Sequence, residues 1–329
     1  MKYIKIYADF LKKNLNPQRK LKVVFDCSNG TTELILKHLN TEKLKTTFIN
    51  NIPDGNFPAH GPDPLKKNAM NDLRLAIRRH KADLGIIFDA DGDRVFFADN
   101  KGRFINPDAI ARLLIWNLKP KKIIIDIRTG WLVKNLKSQS APSASASWRM
   151  GRRRTNLKII ESKVGHYFIK KLMRKIDADF SAEYSGHYYF SARGGSAFGG
   201  KKFYFDSGIM AAIEVINAIS KLPYSTANFM DLLPQYYRSP ELNFKVKNTK
   251  NILKKIEKYF KSQTKSYKLK AISYLDGLTM EFNPPANRWW FNLRPSNTEP
   301  LLRLNVEAEN KKLLDKKIKI LHSLISTFK

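Results

Sequence analysis

The chain is 329 residues long, 43% hydrophobic and 27% charged, with 60 basic residues against 29 acidic ones and a formal net charge of +31. That balance suits two or three globular domains with anionic partners. It excludes a membrane span, since apolar runs such as "GIIF" and "KIIIDI" fall far below the roughly 20 residues required; "MKYIKIYADFLKK" lacks the apolar core of a signal peptide, and one cysteine, Cys27, rules out an internal disulfide and fits the cytoplasm.

In chain order, "LKVVFDCSNG" reads as a buried strand ending at Asp26 and a Gly30 turn, followed by the helical "TTELILKHL" with threonine at its start. "ADLGIIFDADGDRVFFAD" gives two strands around an acidic loop. "KKIIIDIRTG" is a further strand leading into the helical "WLVKNLK". "SKVGHYFIKKLMRKI" is a loop entering a helix, and "FDSGIMAAIEVINAIS" is an amphipathic helix. This alternation predicts α/β domains with largely parallel sheets. From residue 226 onward, strands with a few helices predict a smaller α+β domain, so the expected domains are 1–104, 105–225 and 226–329. The Ser/Ala-rich, then Arg-rich stretch 137–156 and the Gly/Ser-rich stretch 191–202 read as flexible loops. The lysines of "KNTKNILKKIEKYFKSQTKSYKLK" are interleaved with apolar positions and read first as solvated faces. Nucleic-acid binding ranks behind, because no nucleic-acid-binding motif accompanies the charge.

Asp89, Asp91 and Asp93 follow a buried strand at every second position. Alternate residues of an extended segment project the same way, so the three carboxylates are expected to meet one hard cation such as Mg²⁺. A calcium EF-hand would need Gly at the sixth position of the loop and Glu at the twelfth. Arg94 and Asn100 stand there instead, and a strand rather than a helix precedes the loop.

"DADGDR" resembles the metal loop of the α-D-phosphohexomutases, the phosphoglucomutase/phosphomannomutase family. "AEYSGHYYF" (182–190) resembles that family's sugar-binding loop, and "RPSNTEPLLRLNVEA" (294–308) its phosphate-binding loop; "SKVGHYFIK" is similar to the segment that precedes the sugar loop. The resemblance runs nearly end to end. It implies two mixed α/β phosphohexomutase-type domains followed by a smaller α+β C-terminal domain. It further implies an Mg²⁺-dependent intramolecular phosphotransferase that moves a phosphoryl group between the 1- and 6-positions of a hexose phosphate through a hexose 1,6-bisphosphate. On this resemblance Asp89, Asp91 and Asp93 are the metal ligands, and Glu183 and Ser185 bind sugar hydroxyls with His187 close by. Arg294, Ser296, Asn297 and Thr298 form the phosphate loop, with Arg303 nearby. Arg94, which follows the metal ligands, could neutralise a transferring phosphoryl group. Arg128 in "DIRTG" and His166 in "KVGH" are the further catalytic candidates. Asp26 and His60, in "FPAHGPDP", lie in family-like loops without an assigned chemistry.

A mutase of this family also needs a phosphoryl-carrying serine, in a loop like T-A-S-H-N-P within an N-terminal domain. None of the six histidines here follows a serine, and the chain starts at a segment like the linker into the family's second domain. The expectation is therefore an N-terminally truncated mutase chain that needs a separately encoded serine domain as partner. A non-catalytic sugar-phosphate-binding remnant is the alternative, and a basic nucleic-acid-binding protein ranks third.

Overall fold

The apolar run Leu21–Asp26 forms strand β1 of the computed structural model, which describes residues 2–39, 41–137, 156–193, 201–263, 267–284, 287–296 and 299–328. Two units can be distinguished. The first comprises Met1–Ile125, Leu132–Ile160 and Ile169–Leu233; the second comprises Asp126–Trp131, Glu161–Phe168 and Pro234–Lys329.

In the first unit, β1 lies between β2 (Leu44–Ile49) and β3 (Leu84–Phe88) and is parallel to both. Strands β4 (Val95–Asp99) and β5 (Phe104–Ile105) extend the sheet in antiparallel fashion. The sheet is thus mixed rather than largely parallel. Only residues 89–94 join β3 to β4, and a parallel crossover needs a dozen residues or more. β3 and β4 are buried at every position. Helix α1 (Lys2–Lys12) opens the unit, and α3 (Asn71–His80) packs on β1 and β3. Between them α2 (Glu33–Leu36) is a single turn: Thr32 takes helical angles and its side chain caps nothing.

The second sheet has the order β10-β9-β8-β6-β7, built from β6 (Lys122–Asp126), β7 (Lys158–Ser162), β8 (Phe180–Ala182), β9 (Tyr188–Arg193) and β10 (Lys202–Asp206). β6 and β8 are parallel, whereas β8, β9 and β10 form an antiparallel meander. Ser191–Arg193 and Lys202 complete β9 and β10, so both ends of the stretch read as a flexible loop are strand. Residues 194–200 and 138–155 lie outside the described residues. Helix α4 (Pro107–Leu118) starts at an Asn106 cap with proline in its first turn; α5 (Trp131–Lys134) and α6 (His166–Ile176) follow. Helix α7 (Gly208–Ser220) is buried at every residue but Glu214. It is not the amphipathic helix expected, because it packs against both α4 and β4, and a helix apolar on all sides belongs inside. Helix α8 (Thr226–Leu232) is tied to this unit through Thr226, whose Oγ1 donates to the Asp83 carbonyl.

The second unit carries an antiparallel sheet of order β11-β16-β15-β14-β13, with β12 also on β16. Its strands are β11 (Tyr237–Arg238), β12 (Leu242–Lys245), β13 (Leu269–Ser273), β14 (Leu278–Phe282), β15 (Trp289–Pro295) and β16 (Leu301–Ala308). Alternation sends Phe282, Trp289, Phe291, Leu302 and Leu304 into a core with α9 (Thr249–Ser262) and α10 (Lys311–Phe328). Phe260 of α9 anchors this core, with the rings of Tyr267, Phe282, Trp289 and Phe291 centred 5.3 to 5.5 Å away. Among the described residues no helix is long and apolar enough to cross a membrane. Phe260→Ala should lower the unfolding free energy by about 3–5 kcal/mol, read in denaturant unfolding followed by tryptophan fluorescence; a loss below about 1 kcal/mol would contradict this packing.

Candidate active site

The acidic loop is a turn, not an extended segment. Gly92 has φ +75°, and a Cβ there would come within 2.4 Å of the Thr32 side chain, so the chain can reverse here only with glycine. The turn nevertheless brings one oxygen from each of Asp89, Asp91 and Asp93 within 4.8 Å of one another. Asp89 is buried, Asp93 partly so, and Asp91 is exposed. Asp89 Oδ1 accepts the backbone N–H groups of Gly92 and Arg94, and its Oδ2 accepts Arg94 Nε at 2.6 Å. Burial nonetheless pushes the Asp89 carboxyl above its ordinary range, while a hydrogen bond from His187 holds Asp93 below it. A buried carboxylate beside two others, all within one small turn, is a donor set that fits a hard cation.

The sugar-type loop is a hairpin turn between β8 and β9. Gly186 N–H donates to the Glu183 carbonyl at 3.1 Å, and Glu183 N–H to the His187 carbonyl at 2.9 Å. Gly186 has φ +88°, with the Phe96 ring 2.6 Å from where its Cβ would be. This turn lies directly against the acidic loop. Arg94 and His187 form an isolated backbone bridge, Val95 N–H donates to the Gly186 carbonyl, and His187 Nε2 stands 3.4 Å from Asp93 Oδ2. The side chains of Glu183, Ser185 and His187 come together at this turn. Glu183 is buried, accepts the Tyr189 hydroxyl at 2.5 Å and lies 3.5 Å from His187 Nδ1, while Ser185 Oγ is 3.1 Å from that same nitrogen. Both side chains therefore lie against the imidazole.

The loop after β2 adds residues that sequence reasoning left without a role. Asp63 Oδ1 lies 3.5 Å from Arg94 Nη1, so the guanidinium is held between Asp63 and Asp89. Three residues earlier, His60 Nε2 lies 3.2 Å from the fully buried Asp26, which also accepts Asn50 Nδ2. Only the acidity of "GPDP" hinted at Asp63.

The remaining candidates fall in the second unit. Arg128 is buried and pairs with Asp126 at 2.8 Å. Arg294 on β15 stands opposite Arg303 on β16, and Glu241, absent from the expected set, touches both. Arg128 Nη1 lies 3.9 Å from the same Glu241. Ser296 N–H closes the strand end on the Leu301 carbonyl; Asn297 and Thr298 lie outside the described residues. His166 is the exposed first residue of α6.

Three family models match successive parts of the chain. They are phosphoglucomutase/phosphomannomutase α/β/α domain II over residues 2–102, α/β/α domain III over residues 107–236, and the C-terminal domain over residues 241–318. The chain belongs to the phosphoglucomutase/phosphomannomutase family. A phosphomannomutase of Methanocaldococcus jannaschii is 36% identical over 328 residues, covering 98% of this chain and 65% of that protein. One of Vibrio cholerae is 32% identical, covering 97% and 65%. A phosphoglucomutase/phosphomannomutase family protein from Burkholderia thailandensis has the same fold, with TM-score 0.75 at 24% identity over 98% of this chain and 64% of that one. The chain spans less than two thirds of the length of these family members.

In this family member the Asp26–His60 pair ties down the loop that carries Asp63. The hydrogen bond with Asp26 raises the His60 pKa, so the folded chain keeps the proton above the unfolded value of about 6.5. Stability from this pair is complete below that value and is lost as pH rises through the raised one. Thermal unfolding between about pH 6 and 8 should show a fall in midpoint that is shallower in His60→Gln, where His187, also raised by its carboxylate neighbours, still contributes; equal slopes in both proteins would count against the pair.

Proposed function

We propose that the chain supplies the metal, sugar and phosphate sites of a phosphomannomutase/phosphoglucomutase-type phosphohexomutase. It would act in the cytoplasm on hexose phosphates, through a hexose 1,6-bisphosphate. The supporting observation is the junction between the two loops of the first unit, where His187 stands 3.4 Å from Asp93 and bridges Arg94. Cation ligands and a group able to read sugar hydroxyls are thereby built into one wall.

Asp89, Asp91 and Asp93 would hold Mg²⁺, which when bound supplies charge neutralisation for phosphoryl transfer. Arg94, fixed by Asp89 and Asp63, offers a cation to the oxygens of the moving group. Glu183 and Ser185 contact sugar hydroxyls, with His187 close beside both. Arg294 and Ser296, together with Asn297, Thr298 and Arg303, hold the phosphate that is not reacting. Arg128 is the basic residue near the reaction centre, and His166 serves proton transfer or phosphate contact. The three-domain division at residues 104/105 and 225/226 belongs to the same reading. The phosphoryl-carrying serine that the reaction needs would be supplied by an N-terminal mutase domain. A non-catalytic sugar-phosphate-binding chain is the second reading.

The test is conversion of mannose 1-phosphate to mannose 6-phosphate by the chain, with and without a supplied first domain from a relative. Turnover should require that domain and Mg²⁺, and should drop by about 100-fold or more in Asp91→Ala. Turnover indifferent to Asp91→Ala would sink the site assignment, and none under any condition would favour the second reading.

A further inference from the structure

The C-terminal sheet sets two arginines face to face. Arg294 and Arg303 are paired residues on β15 and β16, and like charges directly opposite on an antiparallel pair repel. Arg294 is only 3% exposed, and burial together with the Arg128 charge lowers its pKa. One carboxylate answers both cations. Glu241 Oε2 accepts Arg294 Nη2 at 3.2 Å and Asn305 Nδ2 at 3.3 Å, and Oε1 accepts Arg303 Nη1 at 3.2 Å. Its backbone is anchored from both sides. Ser239 N–H donates to the Val306 carbonyl, and β12 begins at the next residue, Leu242, opposite Leu304. The buried Nε atoms of Arg294 and Arg303 have no hydrogen-bond partner among the described residues. Glu299 holds the other Nη of Arg303 at 2.9 Å, so Glu241 is the carboxylate that the two arginines share.

We propose that Glu241 is a positioning residue of the phosphate site: it grips Arg294 Nη2 and Arg303 Nη1 and so fixes the two guanidinium groups for the phosphate of a bound hexose phosphate. The proposal rests on the reading of these arginines as a phosphate cradle. A carboxylate acting only as a counter-charge would behave in the opposite way, because removing it would strengthen anion binding. A carboxylate that positions the arginines must have the right reach as well as the right charge.

The experiment is calorimetric titration of the full chain with glucose 1-phosphate, for the wild type, Glu241→Gln, Glu241→Asp and Arg294→Gln. Glu241→Asp keeps the charge but withdraws it by one methylene, and it carries the test if Glu241→Gln fails to fold. Both Glu241 variants should bind about tenfold more weakly, as outer partners of ligating groups do. The guanidinium Nε–H resonances of Arg294 and Arg303 should shift on ligand addition in the wild type and much less in Glu241→Asp, a signature that general destabilisation does not produce. Binding by Glu241→Asp as tight as wild type, or tighter, would overturn the role of Glu241 and leave the phosphate site standing. No binding by the wild type, or undiminished binding by Arg294→Gln, would overturn the phosphate reading and the role of Glu241 with it.

Discussion

The bond from Arg94 Nε to Asp89 Oδ2, 2.6 Å long, is the constraint on which the first unit's site depends. Three carboxylates less than 5 Å apart repel by roughly 3–4 kcal/mol per pair near a protein surface, and the most buried of them has the least water to screen it. Arg94 and the backbone N–H groups of Gly92 and Arg94 offset that repulsion at Asp89, and His187 does so at Asp93. The neutralising groups also do the assembly. The backbone of Arg94 bridges His187, so the interaction that stabilises the acidic turn fixes the neighbouring hairpin at the same time. Asp63 then limits the guanidinium to one orientation.

The second unit solves the inverse problem. There the crowded charges are cations, Arg128, Arg294 and Arg303, and the counter-charges are Asp126, Glu241 and Glu299. The antiparallel register forces Arg294 opposite Arg303, on the face of the sheet turned away from the apolar core that Leu293, Leu302 and Leu304 share with α9 and α10. A rigid sheet is a good mount for such a cluster, since each arginine is held by its strand and by a carboxylate. Each unit carries its own compensating charges, so each site's ionic balance is set locally despite the chain's net charge of +31.

Much of this is legible in the sequence, for reasons that differ from site to site. The acidic turn can be found because carboxylates crowded behind a buried strand need a counter-charge, and residue types alone reveal that need. How they converge is a different matter. Alternation predicts an extended segment, whereas a turn through Gly92 brings the three together. The mixed sheet is implicit in the shortness of the 89–94 link, but the strand–helix rhythm points the other way. Helix α7 looks amphipathic because Glu214 and Asn217 are polar, whereas tertiary packing buries nearly all of it. Asp63 and Glu241 escape a sequence reading because their partners, Arg94 and Arg294, are far along the chain, and no local period marks a residue whose role comes from a distant strand.

The central claim is that the acidic turn is a cation site, and binding of Mn²⁺ by the full chain, followed by loss of the free-ion electron paramagnetic resonance signal, tests it most directly. The account predicts one site displaced by Mg²⁺, lost in Asp91→Asn and retained in Asp206→Asn, whose carboxylate is paired with Lys170. Mn²⁺ binding that is equally strong in Asp91→Asn would contradict it.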